Sequence, residues 1–305
     1  MTMTLAEFDA MFQSLSNWNR WGPDDERGTM NYLTQARADA AAKSVRKGLQ
    51  VSMCLTIRTK AAPDNDRPAL HYMTQLAAFQ SGEPTSNLDF FGFDYHGKSI
   101  THIDALCHCA YRGKLYNGYV NREVVTAAGA SKGSVMALKE GITGRGVLLD
   151  IPRLKGTDWL EPSTVITVND LEAAEKSEGV AVGEGDILIV RTGSHRRRET
   201  LGPWDVHRAS AGLHPTCMPW LHERKIAVMC ADGEHDVRPD PMPEMTSPIH
   251  AIALVAMGLH LLDNLYLEDV ARVCSQEGRW SFLFTAAPLL MPGATGSPVN
   301  PIVIF

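Results

Sequence analysis

The feature that most constrains the fold is a set of short apolar runs separated by Gly and polar residues. The clearest is GDILIVRTGS at residues 185–194, where four aliphatic residues follow Gly-Asp. Such runs are typical of buried strands. Comparable runs are VSMCLTIR (51–58), GVLLDIPRL (146–154), IAVMCADG (226–233), LHLLDNL (259–265) and two short strands within 282–305.

Helical patterns lie between these predicted strands. TVNDLEAAEKSEG (167–179) begins with a capping box formed by Thr167 and Asp170, and SPIHAIALVAMG (247–258) is an apolar helix that ends at Gly258. CMPWLHERK (217–225) is also predicted to be helical, as are two segments within residues 1–50. We therefore predict an N-terminal helical arm at 1–50 and one mixed α/β domain at 51–305.

The charge pattern excludes several classes of protein. With 29 basic and 35 acidic residues the net charge is −6, and no long run of one sign occurs. A general binder of nucleic acid or of membrane surfaces would need clustered Lys and Arg, so neither partner is expected. The one basic cluster, Arg196–Arg198, is predicted to be a solvated loop. No signal peptide or bilayer-spanning run is seen, and the expected compartment is the cytoplasm.

Three histidines and an aspartate lie within HGKSITHIDALCHC, residues 96–109. On a strand, residues two apart point to the same face, so His102 and Asp104 can converge on one point. An imidazole and a carboxylate suit Zn or Mn as ligands. His108 follows the predicted turn and suits a general acid or base, because an imidazole gains or loses a proton near neutral pH. The alternative is that His102 and Asp104 form a buried pair that holds the turn.

Two distant residues are candidates for further ligands. His250 and Asp263 lie within otherwise apolar runs, and buried groups of this kind need partners. A metal would satisfy both, whereas a hydrogen-bonded core histidine is the alternative for His250. The remaining polar residues near predicted strands are expected to be structural, or surface and loop polarity: His207, His214, Asp232, His235, Asp236 and His260. Motifs for nucleotide binding or for a serine hydrolase are missing from the sequence.

These residues resemble the putative cyclase family, which includes bacterial kynurenine formamidase and isatin hydrolase. Its signature is His-x-Gly-Thr-His-x-Asp-x-Pro-x-His, and KSITHIDALCH matches it at Thr101, His102, Asp104 and His108. Further similar segments are WGPDDERGTMNYLT, GDILIVRTG, PIHAIALVAMGLHLLDNL and PGATGSPVNP. The resemblance implies that His102, Asp104, His250 and, more loosely, Asp263 hold one or two divalent ions, Zn or Mn, and that His108 transfers a proton.

The sequence departs from the signature at its first histidine, where Lys98 stands. A charged ammonium cannot ligate a metal. Lys98 could instead bind a substrate carboxylate or a developing oxyanion, and His96 could supply the missing ligand. The metal site could also be mononuclear, rearranged or lost.

The resemblance implies a swivelling β/β/α fold around a mixed sheet, and a homodimer or homotetramer. Tryptophans in NWNRWGPDD would then either cover a small aromatic substrate or anchor the N-terminal arm.

The leading functional hypothesis is a metal-dependent hydrolase that opens a small cyclic amide, lactone or N-acyl compound through a metal-activated water, with His108 and Lys98 as catalytic residues. The alternatives are a cyclase or dehydratase in which His108, Lys98 and Asp104 work without an essential metal, and a binding protein that has lost turnover. A small cyclic or aromatic molecule is the expected partner in each case.

Overall fold

A computed structural model of the chain describes residues 3–242 and 244–305. No helix within these residues has the length and apolar content needed to cross a lipid bilayer. The helices are α1 (Leu5–Ser14), α2 (Gln35–Lys43), α3 (Asn121–Val124), α4 (Ile151–Lys155), α5 (Val168–Glu178), α6 (Ser194–Leu201), α7 (Met218–Glu223), α8 (Pro248–His250) with a π-helical continuation (Ala251–Met257), and α9 (Glu268–Glu277).

Short 3₁₀ helices occur at Gly28–Tyr32, Ala77–Phe79, Tyr116–Gly118, Val135–Leu138 and Pro215–Cys217, and most of the strands are short. In chain order they are β1 (Gln50–Ser52), β2 (Leu70–Gln75), β3 (Leu88–Gly92), β4 (His102–Asp104), β5 (Val125–Thr126), β6 (Gly129–Ala130), β7 (Ile142–Asp150), β8 (Val165–Ile166), β9 (Ile187–Arg191), β10 (Gly212–Leu213), β11 (Val228–Ala231), β12 (His260–Asp263), β13 (Ser281–Ala286), β14 (Gly296–Pro298) and β15 (Ile302–Ile304).

Within the described residues, nine strands form one mixed sheet in the order β1-β15-β13-β7-β9-β11-β12-β4-β14. Its centre, β7 to β12, is parallel, and its flanks are antiparallel. Alternate side chains of the central strands enter two different cores, one against α5, α7 and the π-helical segment and the other against α9. This confirms the predicted mixed α/β fold, because a parallel strand buried on both faces must be apolar throughout.

Most of the predicted helices and strands are present, but several begin or end at residues other than those predicted. The capping box of Thr167 and Asp170 starts α5, and Gly258 ends the π-helical segment in a left-handed conformation. The run at 146–154 is strand only to Asp150, where the Asp150 carboxylate accepts a hydrogen bond from the Arg153 N–H and starts α4. The run at 51–58 is strand only to Ser52. The C-terminal segment holds three strands rather than two, because β14 pairs with β4.

The prediction of a solvated loop at Arg196–Arg198 was wrong. These residues lie in α6, where Arg197 pairs with Glu161 and Arg198 pairs with the buried Asp64.

The N-terminal segment packs onto the π-helical segment. The Trp18 indole N–H donates to the Val255 carbonyl oxygen at 2.7 Å, and the Asn17 side-chain amide donates to the Met257 carbonyl oxygen at 2.9 Å. Of the two predicted roles of the tryptophans, Trp18 therefore takes that of an anchor.

Candidate metal centre

The candidate site begins at β4. His102 and Asp104 are two residues apart on this strand and share a face, and both are buried. The neighbouring strand β12 pairs Asp263 directly opposite His102, so the Asp263 carboxylate reaches the same face. Sheet pairing thus brings the Asp263 carboxylate to His102 and Asp104, which lie about 160 residues earlier in the sequence.

Two overlapping groups of potential ligand atoms meet at Asp104. In the first group, Nδ1 of His96 lies 2.9 Å from Oδ1 of Asp104, and Nε2 of His102 lies 3.5 Å from the same oxygen. In the second group, Nε2 of His250 lies 3.8 Å from Oδ2 of Asp104 and 3.7 Å from Oδ2 of Asp263. Within each group the ligand atoms all lie within 4.8 Å of one another.

Hydrogen bonds to the far side of each ring orient the other nitrogen, Nε2, toward the Asp104 carboxylate. Nδ1 of His102 donates to the Ile100 carbonyl oxygen at 2.9 Å, since a carbonyl can only accept. Nδ1 of His250 lies 2.6 Å from the Asp236 carboxylate, which likewise accepts a hydrogen bond. In both rings Nε2 is the nitrogen that faces the Asp104 carboxylate. Metal-ligating histidines are commonly oriented in this way.

Buried atoms without hydrogen bonds show that a cation would fit the site. Both oxygens of Asp104, Nδ1 of His96 and one oxygen of Asp263 are sealed from solvent and lack a hydrogen-bond partner among the described residues. Burial alone would raise the pKa of Asp104, but His108, His102 and His96 hold it well below the usual carboxyl value. Buried carboxylates need compensating positive charge, and the mixed imidazole and carboxylate set suits Zn or Mn.

Lys98 belongs to neither group of ligand atoms. Its ammonium pairs with the Glu234 carboxylate, and burial lowers its pKa to about 8. His108 lies at the rim of the site, with its Nε2 3.9 Å from Oδ2 of Asp104 and 30% of its side chain exposed. Burial by the surrounding protein lowers the pKa of His108 to about 4, against the opposing effect of Asp104. His108 is therefore neutral near pH 7 and has a nitrogen available to accept a proton.

Two residues that support the site were not predicted from the sequence as part of it. His235 and Asp236 were expected to be surface or loop polarity, and they do lie in a loop, but both are buried. Nε2 of His235 lies 3.0 Å from the Asp263 carboxylate, and Asp236 orients His250. The available signal was their position after the parallel strand β11, since ligands of open α/β sheets bind beyond the carboxyl ends of the strands.

The other polar candidates lie outside the two groups. His207 is exposed, and His214 contacts Thr216. Asp232 is buried rather than on the surface, and its carboxylate accepts hydrogen bonds from the backbone of Thr192 and Gly193. Nδ1 of His260 donates to the Asp104 carbonyl oxygen at 2.9 Å, which agrees with the structural role expected for it.

A cavity lies near the site and is lined by sequence neighbours of the site residues, but by none of the candidate ligands. It is lined by Lys98, by Glu234 next to His235, and by Asn264 next to Asp263. Its apolar wall consists of Leu160, Pro162, Trp204, Val206 and Ala211. The Trp204 indole N–H already donates to the Ala209 carbonyl oxygen, so only the ring surface of Trp204 remains for a ligand.

Solved structures share this architecture. A structure described as a novel cyclase is 32% identical, covers 96% of this chain and 99% of its own, and superposes with a TM-score of 0.87. Isatin hydrolase A from Ralstonia solanacearum is 19% identical over 88% of this chain and 97% of its own, with a TM-score of 0.60. A predicted metal-dependent hydrolase from Bacillus stearothermophilus is 15% identical over 84% of this chain and 97% of its own, with a TM-score of 0.53.

A search of curated proteins gave no match. The family model described as putative cyclase matches residues 24–235, which include β4, His108 and His235. That match covers more than half of the chain and agrees with the first of the structural comparisons. The chain belongs to the putative cyclase family.

Proposed function

We propose that this protein is a metal-dependent hydrolase that opens a small cyclic amide, a lactone or an N-acyl compound. The observation that carries the proposal is the meeting of two ligand groups at Asp104, whose buried oxygens have no hydrogen-bond partner among the described residues. The names of structural neighbours, isatin hydrolases and metal-dependent hydrolases, support the same reaction class.

The position of each residue determines whether it would bind metal or transfer a proton. His102, Asp104, His250 and Asp263 would hold one or two divalent ions, Zn or Mn. A divalent ion at such a site lowers the pKa of a water molecule and polarises a carbonyl oxygen. His108, neutral near pH 7 and at the exposed rim, would take up a proton and pass it to the leaving nitrogen or oxygen.

The nearby cavity supports a small substrate with one apolar face. Trp204 and Leu160 offer flat or aliphatic surface. The charged groups of the wall have partners: Lys98 pairs with Glu234, Arg198 pairs with Asp64, and the Asp232 carboxylate accepts backbone hydrogen bonds. An uncharged ring fits such a wall, because a charged ligand would have to separate one of these pairs. Lys98 lines this cavity, and its ammonium would orient a carbonyl oxygen of a bound substrate.

We also propose that the chain forms a homodimer or homotetramer in the cytoplasm. The hairpin of β2 and β3 exposes large apolar side chains on both faces, among them Tyr72, Phe79 and Phe91. Exposed apolar patches of this kind mark interaction sites. The cysteines Cys54, Cys107, Cys109, Cys217, Cys230 and Cys274 are all free, as is usual in a reducing compartment.

The test is hydrolysis of a panel of lactams, lactones and N-formyl amines before and after exhaustive chelation, with Zn²⁺ or Mn²⁺ added back. We expect activity that chelation abolishes and metal restores. Asp104→Asn should lower activity by at least about 1000-fold, since both ligand groups contain this carboxylate.

His207→Ala is the matched control, because His207 is exposed and outside the site. Full activity in protein free of metal would contradict the proposal and favour a cyclase or dehydratase that uses His108, Lys98 and Asp104. Binding of an aromatic ligand without turnover of any compound would favour a non-catalytic binding protein.

A further inference from the structure

The first position of the family signature is occupied by a residue that cannot ligate. Lys98 stands where the signature has a histidine, and its ammonium pairs with Glu234 instead of facing His102. The first ligand group would then hold only His102 and Asp104, and two protein ligands make a weak site. A third ligand has to come from another residue.

His96 meets the geometric requirement for that ligand. Its Nδ1 lies 2.9 Å from Oδ1 of Asp104, is sealed from solvent and makes no hydrogen bond of acceptable geometry. Its Nε2 lies 2.9 Å from Oγ1 of Thr295, which can accept a hydrogen bond from Nε2–H; in that tautomer Nδ1 has the lone pair. A cation shared between this buried nitrogen and the equally unpartnered carboxylate oxygen would satisfy both groups.

The surroundings hold the His96 ring in this orientation. The ring stacks on His108, with the centroids 3.9 Å apart and the planes 10° apart, and it also contacts the Tyr95 ring at a centroid distance of 4.5 Å. The backbone opposite is Gly296, where an added Cβ would come within 2.9 Å of Cε1 of His96. A glycine at 296 therefore leaves the space that the imidazole occupies.

We propose that His96 supplies the metal ligand that position 98 has lost, so that the first ion is held by His96, His102 and Asp104. The ligand has moved two residues toward the N-terminus, and position 98 is released to carry an ammonium at the wall of the substrate cavity. This inference rests on the proposed function, since it concerns the same centre. It assigns this chain a ligand set that differs from the family signature.

The test measures binding of Co²⁺ to the metal-free full chain by titration calorimetry and by the visible absorption of the bound ion. We expect two sites in the wild type. His96→Ala and His96→Gln should each weaken one site by roughly 100-fold or more and change its absorption spectrum, since even outer partners of ligands are worth 10- to 100-fold. Glutamine can still reach Thr295, but it has no donor atom at the position of Nδ1.

Rescue separates a ligand from a packing residue. In the His96→Ala background, Lys98→His restores the histidine of the signature, and we expect it to recover most of the lost affinity. His207→Ala should bind as the wild type does, and far-ultraviolet circular dichroism checks that every variant is folded.

The outcomes also separate this inference from the proposed function. Wild-type affinity and spectrum in both His96 variants, together with loss of a site in His102→Ala, would overturn the role of His96 alone. Absence of any Co²⁺ binding by the wild type would overturn both proposals.

Discussion

At the scale of single residues, Lys98 takes the place of the first histidine of the family signature. Its side chain is largely buried, pairs with Glu234 and faces a cavity rather than the ligand groups. An ammonium can hold a carbonyl or carboxylate oxygen through a charge-assisted hydrogen bond. A change from ligand to cation at this position would alter which substrate binds without altering how the reaction is catalysed.

Lys98→Met tests this role. Removing one hydrogen bond to a charged group costs about 1.5–3 kcal/mol, so KM for any compound that is turned over should rise at least about 10-fold. Metal content should not change, because Lys98 is outside both ligand groups. Lys132→Met is the control, since Lys132 pairs with Glu26 away from the cavity. An unchanged KM, or loss of bound metal, would contradict the role assigned to Lys98.

At the scale of secondary-structure elements, local sequence patterns predicted which helices and strands are present better than the residues at which they begin and end. The capping box of Thr167 and Asp170 and the terminal Gly258 depend on neighbouring residues only, and both are observed. The shared face of His102 and Asp104 follows from the two-residue period of a strand, which is also local. By contrast, the extent of β1 and β14 depends on pairing with distant strands, and a single sequence does not show that pairing.

The position of His235 and Asp236 after β11 was a signal in the sequence, but their contacts could not be predicted, for the same reason. His235 and Asp236 are polar residues in a loop, and nothing next to them in sequence shows that Asp263 and His250 will lie against them. Their burial results from the parallel pairing of β11 with β12. His96 lies in an irregular segment, where the two-residue period of a strand does not apply.

The contact between the end of β7 and the end of α5 should make the stability of the fold depend on pH. Glu178 at the end of α5 accepts a hydrogen bond from the Asp150 N–H, and burial raises its pKa to about 8. The folded protein thus holds a proton that the unfolded chain releases near pH 4.5. Glu178 makes its full contribution to the free energy of unfolding below that pH. The contribution is lost as the pH rises through 8, by at most about 1.4 kcal/mol per pH unit.

Glu178→Gln should therefore flatten the loss of stability between pH 5 and 8, measured by urea unfolding at each pH. Glutamine keeps an oxygen that can accept from Asp150 and does not titrate. Glu172→Gln is the control on the exposed face of the same helix. A steeper loss in Glu178→Gln, or equal curves for Glu178→Gln and the wild type, would contradict the assigned proton.

At the scale of the whole molecule, the exposed hairpin is the feature that a single chain does not explain. Leu70, Tyr72, Phe79, Phe90 and Phe91 are each at least 45% exposed. A two-stranded ribbon is marginally stable by itself and needs a surface to pack against. A second copy of the chain is the partner that the family resemblance implies.

Phe79→Ser with Phe91→Ser should shift the protein toward the monomer in size-exclusion chromatography with light scattering, because the apolar area that a partner would bury is reduced. Leu201→Ser is the control, since Leu201 is 60% exposed but lies in α6. The same mass for the double variant and the wild type, with both larger than a monomer, would place the interface elsewhere.

If the carboxylates and imidazoles of three distant chain segments form a metal centre, an anomalous-scattering map of crystals grown with Mn²⁺ or Zn²⁺ will show the ions. We expect one peak among His96, His102 and Asp104 and a second among Asp104, His250 and Asp263. A map with no peak within ligand distance of Asp104 would contradict the presence of this centre.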